Sequence, residues 1–331
     1  MTRHPVQSSR RHWMQAAAAT AACGSGLGQA LAQTFPSRPI RIIVPYAAGG
    51  TSDILARTLG VRVGEALGQQ IVVENRPGAN GVVGTELSAK APPDGYTLLM
   101  VNSGHTVNPG LYGKLPYDSV RDFAPVTLVA NIANLLVIHP SLPTKNFSEF
   151  VALARRNAGV IHYGSGGIGA SSHLAVELLN RAANINLVHV PYKSGGLSAT
   201  ALLAGEVAVS FNTIPSAINY VKAGRLRAIG ISSLKRSAAI PSVPPIAEMG
   251  LSGFEASGLA GLLAPAGTPV EIVERLHVET AKLIKRPDVL ERFVVLGLDA
   301  VGNTPAEFAR FIKADLDKWT KLVRELNIKG Q

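Results

Sequence analysis

A short apolar run, a glycine-rich turn and an amphipathic helix start occur twice in this chain, and no other feature restricts its fold as much. The first copy is "IIVPYAAGGTSDIL", residues 42–55; the second is "VIHYGSGGIGASSHL", residues 160–174. "IRIIVPY" (40–46) is rich in β-branched residues, as a buried strand is. After the first turn, Leu55, Leu59, Val63 and Leu67 recur every four residues up to Gly68, the pattern of a helix packed on one face and stopped by glycine. "QIVVEN" (70–75) is the next strand, and the strand–helix–strand order implies parallel pairing. With no repeat of solenoid period, two α/β lobes, each opening a helix at its own glycine turn, are the economical architecture.

A helix start leaves several backbone N–H groups without acceptors, and the helix dipole adds positive potential there. Such a turn is a ready anion site. Two of them on two lobes can close on one carboxylate or phosphate from both sides. Charge-assisted hydrogen bonds contribute roughly 1.5–3 kcal/mol each, and micromolar binding needs about 8 kcal/mol. Four or five amides suffice, without a charged side chain. Asp53, in the first helical turn, is read as a cap on its loop, with contact to a ligand ammonium as the alternative.

Gly164, Gly166 and Gly169 also fall at the G-x-G-x-x-G spacing of a dinucleotide site. That chemistry needs an acid at the end of the following strand to hold the ribose hydroxyls. The strand "INLVHVPYK" (185–193) has none, although Lys193 would tolerate an extra phosphate. An exported NAD(P)-dependent oxidoreductase is therefore the rival reading. No G-x-S-x-G elbow, H-E-x-x-H pair or Walker lysine motif occurs, and the histidines are scattered. Neither an enzyme activity nor a metal or cofactor is expected.

The chain has 331 residues, enough for two lobes of ordinary size, and its 47% apolar content supports buried cores. Residues 1–32 stand apart, with Arg3, Arg10 and Arg11, no acid, an Ala-rich stretch and the A-x-A pattern Ala30-Leu31-Ala32. That is a cleavable export signal cut near Ala32. The general secretory route is preferred to the twin-arginine route that Arg10-Arg11 would suit. Cys23 lacks the residue context of a lipidation site, and cleavage removes this only cysteine, which suits an oxidising compartment. The net charge of +10 falls by three to +7 on cleavage. Much of it is interspersed with acids, and no basic block is interleaved with aromatics, so nucleic acid is excluded as a partner.

Further strands are expected at "DGYTLLMVNS" (94–103), "NLLVIHPSLP" (134–143), "GVIHYG" (159–164), "LVHVPY" (187–192), "EVAVSF" (206–211) and "LRAIGIS" (226–232). A helix is expected around Phe147 to Arg156. Thr268-Pro269-x-Glu271 and Thr304-Pro305-x-Glu307 each read as a cap, a first-position proline and an acid that begin a helix. Phe308, Phe311, Ile312, Trp319 and Leu322 form a packing stripe on the last helix.

"PIRIIVPYAAGGTSDILAR", "VVENRPGANGVVG", "PPDGYTLLM", "LYGKLPYDSVRDFAPVTLV", "YGSGGIGASSHLA", "HVPYKSGG" and "LLAPAGTP", in this order, resemble the Bug-type receptors of tripartite tricarboxylate transporters. The resemblance covers residues 34–331. It implies an α/β, two-lobed type II periplasmic binding-protein fold (a flytrap) with two crossover strands, lobe 1 being 34–135 plus 254–331 and lobe 2 being 136–253. It implies a periplasmic monomer that holds a small carboxylate, partly through ordered water, and delivers it to integral-membrane transporter subunits. A ligand sensor for a membrane kinase is the other reading compatible with closing lobes. Carried over to this chain, the ligand-binding residues are Tyr46, Ala48, Gly49, Gly50, Thr51, Ser52 and Asp53 in the first loop. The second loop supplies Ser165, Gly166, Gly167, Ile168, Gly169, Ser171 and His173, with Ser103 and His105 as cleft walls. Asn212 stands where many relatives have an acid, and Leu259-Ala260 where they often have an aromatic. An amine-bearing or ring-stacked ligand is thereby put in doubt.

Overall fold

The computed structural model describes residues 1–2, 35–192 and 194–329. Contacts divide the chain into two units, Met1–Ser37 and Arg38–Gln331. Most of the first unit, including the expected export signal with Arg3, Arg10, Arg11, Cys23 and Ala32, lies outside the described residues; its end carries a cis bond at Phe35–Pro36. Everything below concerns the second unit.

That unit contains two mixed sheets. The first has strands β1 (Ile40–Val44), β2 (Ile71–Asn75), β3 (Thr97–Asn102), β4 (Phe123–Ile132), β10 (Gly258–Pro265) and β11 (Leu298–Ala300). Their order is β11-β4-β10-β3-β1-β2, with β1 parallel to β2 and β3 and with β10 antiparallel to β3 and β4. The second has β5 (Asn134–Ile138), β6 (His162–Ser165), β7 (Val188–Pro191), β8 (Val209–Thr213) and β9 (Arg227–Ile231), in the order β7-β6-β8-β5-β9. The helices are α1 (Thr51–Leu67), α2 (Val82–Ala89), α3 (Gly104–Leu111), α4 (Phe147–Arg156), α5 (Ser171–Ala183), α6 (Gly195–Ala204), α7 (Ile214–Lys222), α8 (Val270–Ile284), α9 (Pro287–Val295) and α10 (Pro305–Glu325).

The expected stripe of α1 is buried as read, at Leu55, Leu59, Val63 and Leu67, and Gly68 ends the helix in the left-handed region. Each such side chain contributes roughly 1.5–3 kcal/mol by leaving water. The two starts read from proline and threonine part company. Thr304 and Glu307 form a complete capping box on α10. Thr268 instead donates its hydroxyl to the Pro265 carbonyl at 2.8 Å, and α8 begins after Pro269 with no side-chain cap.

The chain passes between the sheets twice. Ala133 alone separates β4 from β5, and the return runs from β9 to β10. The crossings lie side by side. The Asn134 amide donates to Ser232 Oγ at 2.9 Å, the Ser232 amide to the Asn134 carbonyl at 2.9 Å, and the Ala256 amide to the Ser232 carbonyl at 3.0 Å. The apolar stripe of α10 is divided between two cores. Phe308 and Ile312 join the first sheet with Leu99 and Leu263, whereas Trp319, Leu322 and Val323 pack with Val107 and Leu111 of α3 and Leu174 of α5.

Helix α2 seats so closely on the end of β1 that a Cβ on Gly84 would lie 2.7 Å from the Arg76 carbonyl oxygen and 2.8 Å from Pro45 Cα. Both neighbours are backbone, so neither yields without moving the turn that carries Tyr46. Gly84→Ala is expected to destabilise the protein by about 1–3 kcal/mol, as overpacking does, lowering the urea midpoint at unchanged m-value. An unchanged midpoint would mean that α2 does not hold this turn.

Candidate functional site

A cavity of about 320 Å³ lies between the two sheets. Four helices begin at it. Their N-cap residues, Gly50 of α1, Ser103 of α3, Ala170 of α5 and Thr213 of α7, all line it, and none makes a side-chain capping bond. Elsewhere Asn146, Ser194 and Thr304 cap α4, α6 and α10 with their side chains. Two of the four starts follow strands of the first sheet and two follow strands of the second. By helix geometry the first-turn amides of Thr51, Ser52 and Asp53, and of Ser171, Ser172 and His173, have no intrahelical acceptor. Each start carries on the order of half a positive charge. No lining side chain is formally charged.

Of the residues expected at the site, Tyr46, Gly50, Thr51, Ser52, Ser103, Gly169 and Ser171 line the cavity. Tyr46 is anchored through its carbonyl, which accepts from Asn75 Nδ2 at 3.1 Å. Its ring packs where a Cβ on Gly81 or Gly104 would lie 2.8 or 2.6 Å from its hydroxyl. The turn before α2 also faces the cavity, through Asn80. Gly78, Ala79, Asn80 and Gly81 all have positive φ. Asn80, the cavity-lining member, is fixed by a reciprocal pair with Asn108: Nδ2 to Asn108 Oδ1 at 2.8 Å, and Asn108 Nδ2 to the Asn80 carbonyl at 3.0 Å.

Ala48, Gly49, Asp53, His105, Ser165, Gly166, Gly167, Ile168, His173 and Asn212 are not among the lining residues. Asp53 has the structural role. Its carboxylate accepts from the Gly49 amide at 2.9 Å and from Arg57 Nε at 3.0 Å. Burial pushes its pKa up, but these donors and Asn75 together hold it below the ordinary carboxylate value. His105 lies on the other side of α3 from Ser103, Gly104 and Val107. Its Nε2 donates to the Ser119 carbonyl at 2.8 Å, and its ring packs against Tyr117 and Phe123. Burial lowers its pKa to about 4. Asn212 precedes the lining Thr213 by one residue, and strand alternation turns it to the other face, opposite Leu135. Its Nδ2 is buried without a partner.

The second glycine loop is closed on itself. The Gly166 amide donates to Ser172 Oγ at 3.0 Å, Gly167 to Ser165 Oγ at 3.1 Å, and Gly169 to His173 Nδ1 at 3.0 Å. A dinucleotide pyrophosphate needs those amides free. Ser165 Oγ lies 2.6 Å from His189 Nε2, and the His173 and His189 rings stack with centroids 3.9 Å apart. Burial, then the field of His189, lowers the His173 pKa to about 3; burial lowers that of His189 to about 4. The glycine at 169 has a packing reason as well, because a Cβ there would collide with Leu111 of α3.

Asn80, Asn102, Gly104, Val107, Ile132, Asn134, Ala170, Thr213 and Gly258 line the cavity without having been read from the sequence. Gly104 and Thr213 carried a signal that could have been used, since each adjoins a helix start directly after a strand. Among the described residues no group of three His, Cys, Asp or Glu side chains could hold a metal, and no helix is long and apolar enough to cross a membrane.

Residues 55–328 match the model of the tripartite tricarboxylate transporter family receptor. The chain belongs to that family. Protein BugT of Bordetella pertussis is 35% identical over 90% of this chain and 92% of its own. Rpa4515 of R. palustris, solved with adipate, is 30% identical over 89% of this chain and 99% of its own, with a TM-score of 0.77. MatC of Rhodopseudomonas palustris, solved with bound malate, is 31% identical over 87% and 100%, with a TM-score of 0.73. The two-lobed fold is that of solved periplasmic binding proteins of the Bug type.

His105, His173 and His189 all have pKa values below the ordinary 6.5 in the folded state. Below pH 6.5 the unfolded chain binds protons that the folded chain refuses, so stability is intact above pH 6.5 and falls as pH drops toward about 4. His105 alone accounts for on the order of 3 kcal/mol at the bottom of that window. Thermal melts should show Tm falling steadily from pH 7 to 4.5, less steeply in His189→Gln. A flat Tm over that range would show that these rings are not held neutral.

Proposed function

We propose that this chain is a periplasmic receptor that captures a small dicarboxylate between its lobes and delivers it to the integral-membrane subunits of a tripartite transporter. The observation that carries this is the convergence of four helix starts, two from each sheet, on a cavity with no charged side chain. Four half-charges amount to roughly two units of positive potential, which balances two carboxylates. Thr51, Ser52 and Asp53 amides serve one lobe's share of the ligand and Ser171, Ser172 and His173 amides the other's. The volume leaves room for a four- to six-carbon diacid and several waters at about 30 Å³ each. The adipate and malate held by relatives support the same class.

In this reading the receptor acts as a monomer, exported by the general secretory route and cut near Ala32. Lobe 1 comprises 34–135 plus 254–331 and lobe 2 comprises 136–253, a division that follows sheet membership except that Asn134 and Leu135 belong to β5 of the second sheet. Closure swings the lobes about the paired crossings at Asn134, Ser232 and Ala256.

Proline at the first position of a helix removes one N–H and leaves the helix intact. Gly50 and Ala170 are both extended, as a residue before proline must be. Thr51→Pro and Ser171→Pro should each weaken diacid binding roughly 10- to 100-fold, the worth of one charge-assisted hydrogen bond, beyond any loss in Thr51→Ala and Ser171→Ala. Calorimetric titration with four- to six-carbon diacids measures this. If no carboxylate binds the unaltered protein, or if both proline variants bind normally, the helix-terminus clamp is wrong.

A further inference from the structure

The floor of the cavity, beside the paired crossings, holds polar groups of a particular kind. Asn134 is 4% exposed, and its backbone amide and carbonyl are both engaged by Ser232. Its carboxamide has no hydrogen-bond partner among the described residues, and it lines the cavity. Its polar atoms therefore face the cavity, where only water or a ligand can pair them. Thr213 stands directly opposite Asn134 in the β5–β8 pairing, which makes their side chains neighbours on one face. The Ser216 hydroxyl donates to the Thr213 carbonyl at 2.8 Å, so the 3.0 Å contact between the two hydroxyls is donated by Thr213. With its single proton engaged, Thr213 Oγ1 turns only lone pairs to the cavity.

We infer that Asn134 and Thr213 form a subsite that reads a hydroxyl group, so that the ligand is a hydroxylated small carboxylic acid. This rests on the receptor reading above and narrows its substrate class. The ligand hydroxyl donates to Thr213 Oγ1 and accepts from Asn134 Nδ2. A carboxylate placed there sets its oxygens against the threonine lone pairs, and a methylene leaves both groups unpaired. Gly258 keeps the space open, since a Cβ there would lie 3.2 Å from Ser103 Oγ.

The test is calorimetric titration with matched pairs: succinate and malate, glutarate and 2-hydroxyglutarate, butyrate and 3-hydroxybutyrate. In at least one pair the hydroxylated member should bind about tenfold tighter or more, as expected where a site built for a hydroxyl meets an analogue lacking it. Thr213→Val, nearly the same shape, and Asn134→Leu should each bring that ratio to within about threefold. Thermal melts check that each variant is folded, and Thr213→Val decides alone if Asn134→Leu is not. Acids that bind without preference for the hydroxyl, or a preference that survives substitution, overturn the subsite and leave the receptor reading standing. Failure of every acid to bind the unaltered protein overturns both.

Discussion

An α-helix cannot satisfy its own first-turn amides, and that constraint organises the centre of this protein. Those groups need side-chain caps, water or a ligand. Asn146, Ser194 and Thr304 supply caps at three of the helix starts away from the cavity. At Gly50, Ser103, Ala170 and Thr213 the N-cap side chain does not do so, although Asn102 Oδ1 accepts the first amide of α3, and these four starts meet. The result is a positive field built from backbone dipoles. A lysine or arginine in the same place would bring its own desolvation cost and would need a partner whenever the site is empty. Backbone amides are fixed by the helices that carry them, so little conformational freedom is lost when a ligand binds.

Holding four helix starts on one point requires that both lobes approach closely without fusing. The paired crossings limit the relative movement, because Asn134, Ser232 and Ala256 tie the two strands of chain together. On one side of the cavity the Gly169 loop meets Leu111, with Trp319 and Val323 of α10 behind it. On another, Gly297 meets Ile214 so closely that no side chain fits between them. Both contacts join parts that belong to different sheets. Separating the lobes would expose these apolar surfaces and part the helix starts, so in the proposed receptor ligand binding and apolar contact favour the same closed arrangement.

Much of this was legible. Parallel strand–helix–strand order, the stripe Leu55–Leu59–Val63–Leu67 and the capping box at Thr304 are local patterns, and the structure keeps them. The first loop was legible because its glycines stand beside a helix start. What the sequence concealed is direction. His105 and Asn212 are each adjacent to residues that line the cavity, yet a rotation of about 100° per helical residue and of 180° per strand residue turns both away. The starts of α3 and α7 were legible only in part: each directly follows a strand, but neither Ser103 nor Thr213 stands in a capping-box pattern. The asparagines at 80, 102 and 134 carry no pattern at all; only tertiary structure brings them together.

The G-x-G-x-x-G spacing at Gly164, Gly166 and Gly169 shows how one pattern can answer two physical needs. In a dinucleotide site the glycines let amides reach a pyrophosphate. Here Ser172 and His173 take the Gly166 and Gly169 amides, Ser165 takes that of Gly167, and Gly169 makes room for Leu111 across the cleft. Gly167, at φ of +120°, simply turns where a side chain would be strained. The loop is thus a rigid bracket rather than a cradle. Its stacked His173 and His189 hold both of its ends, through Gly169 and Ser165, and His173, which accepts at Nδ1, can do so only while that nitrogen is unprotonated. In the proposed receptor, what the bracket presents to a ligand is the start of α5, and the glycines would contribute to binding by fixing where that helix begins.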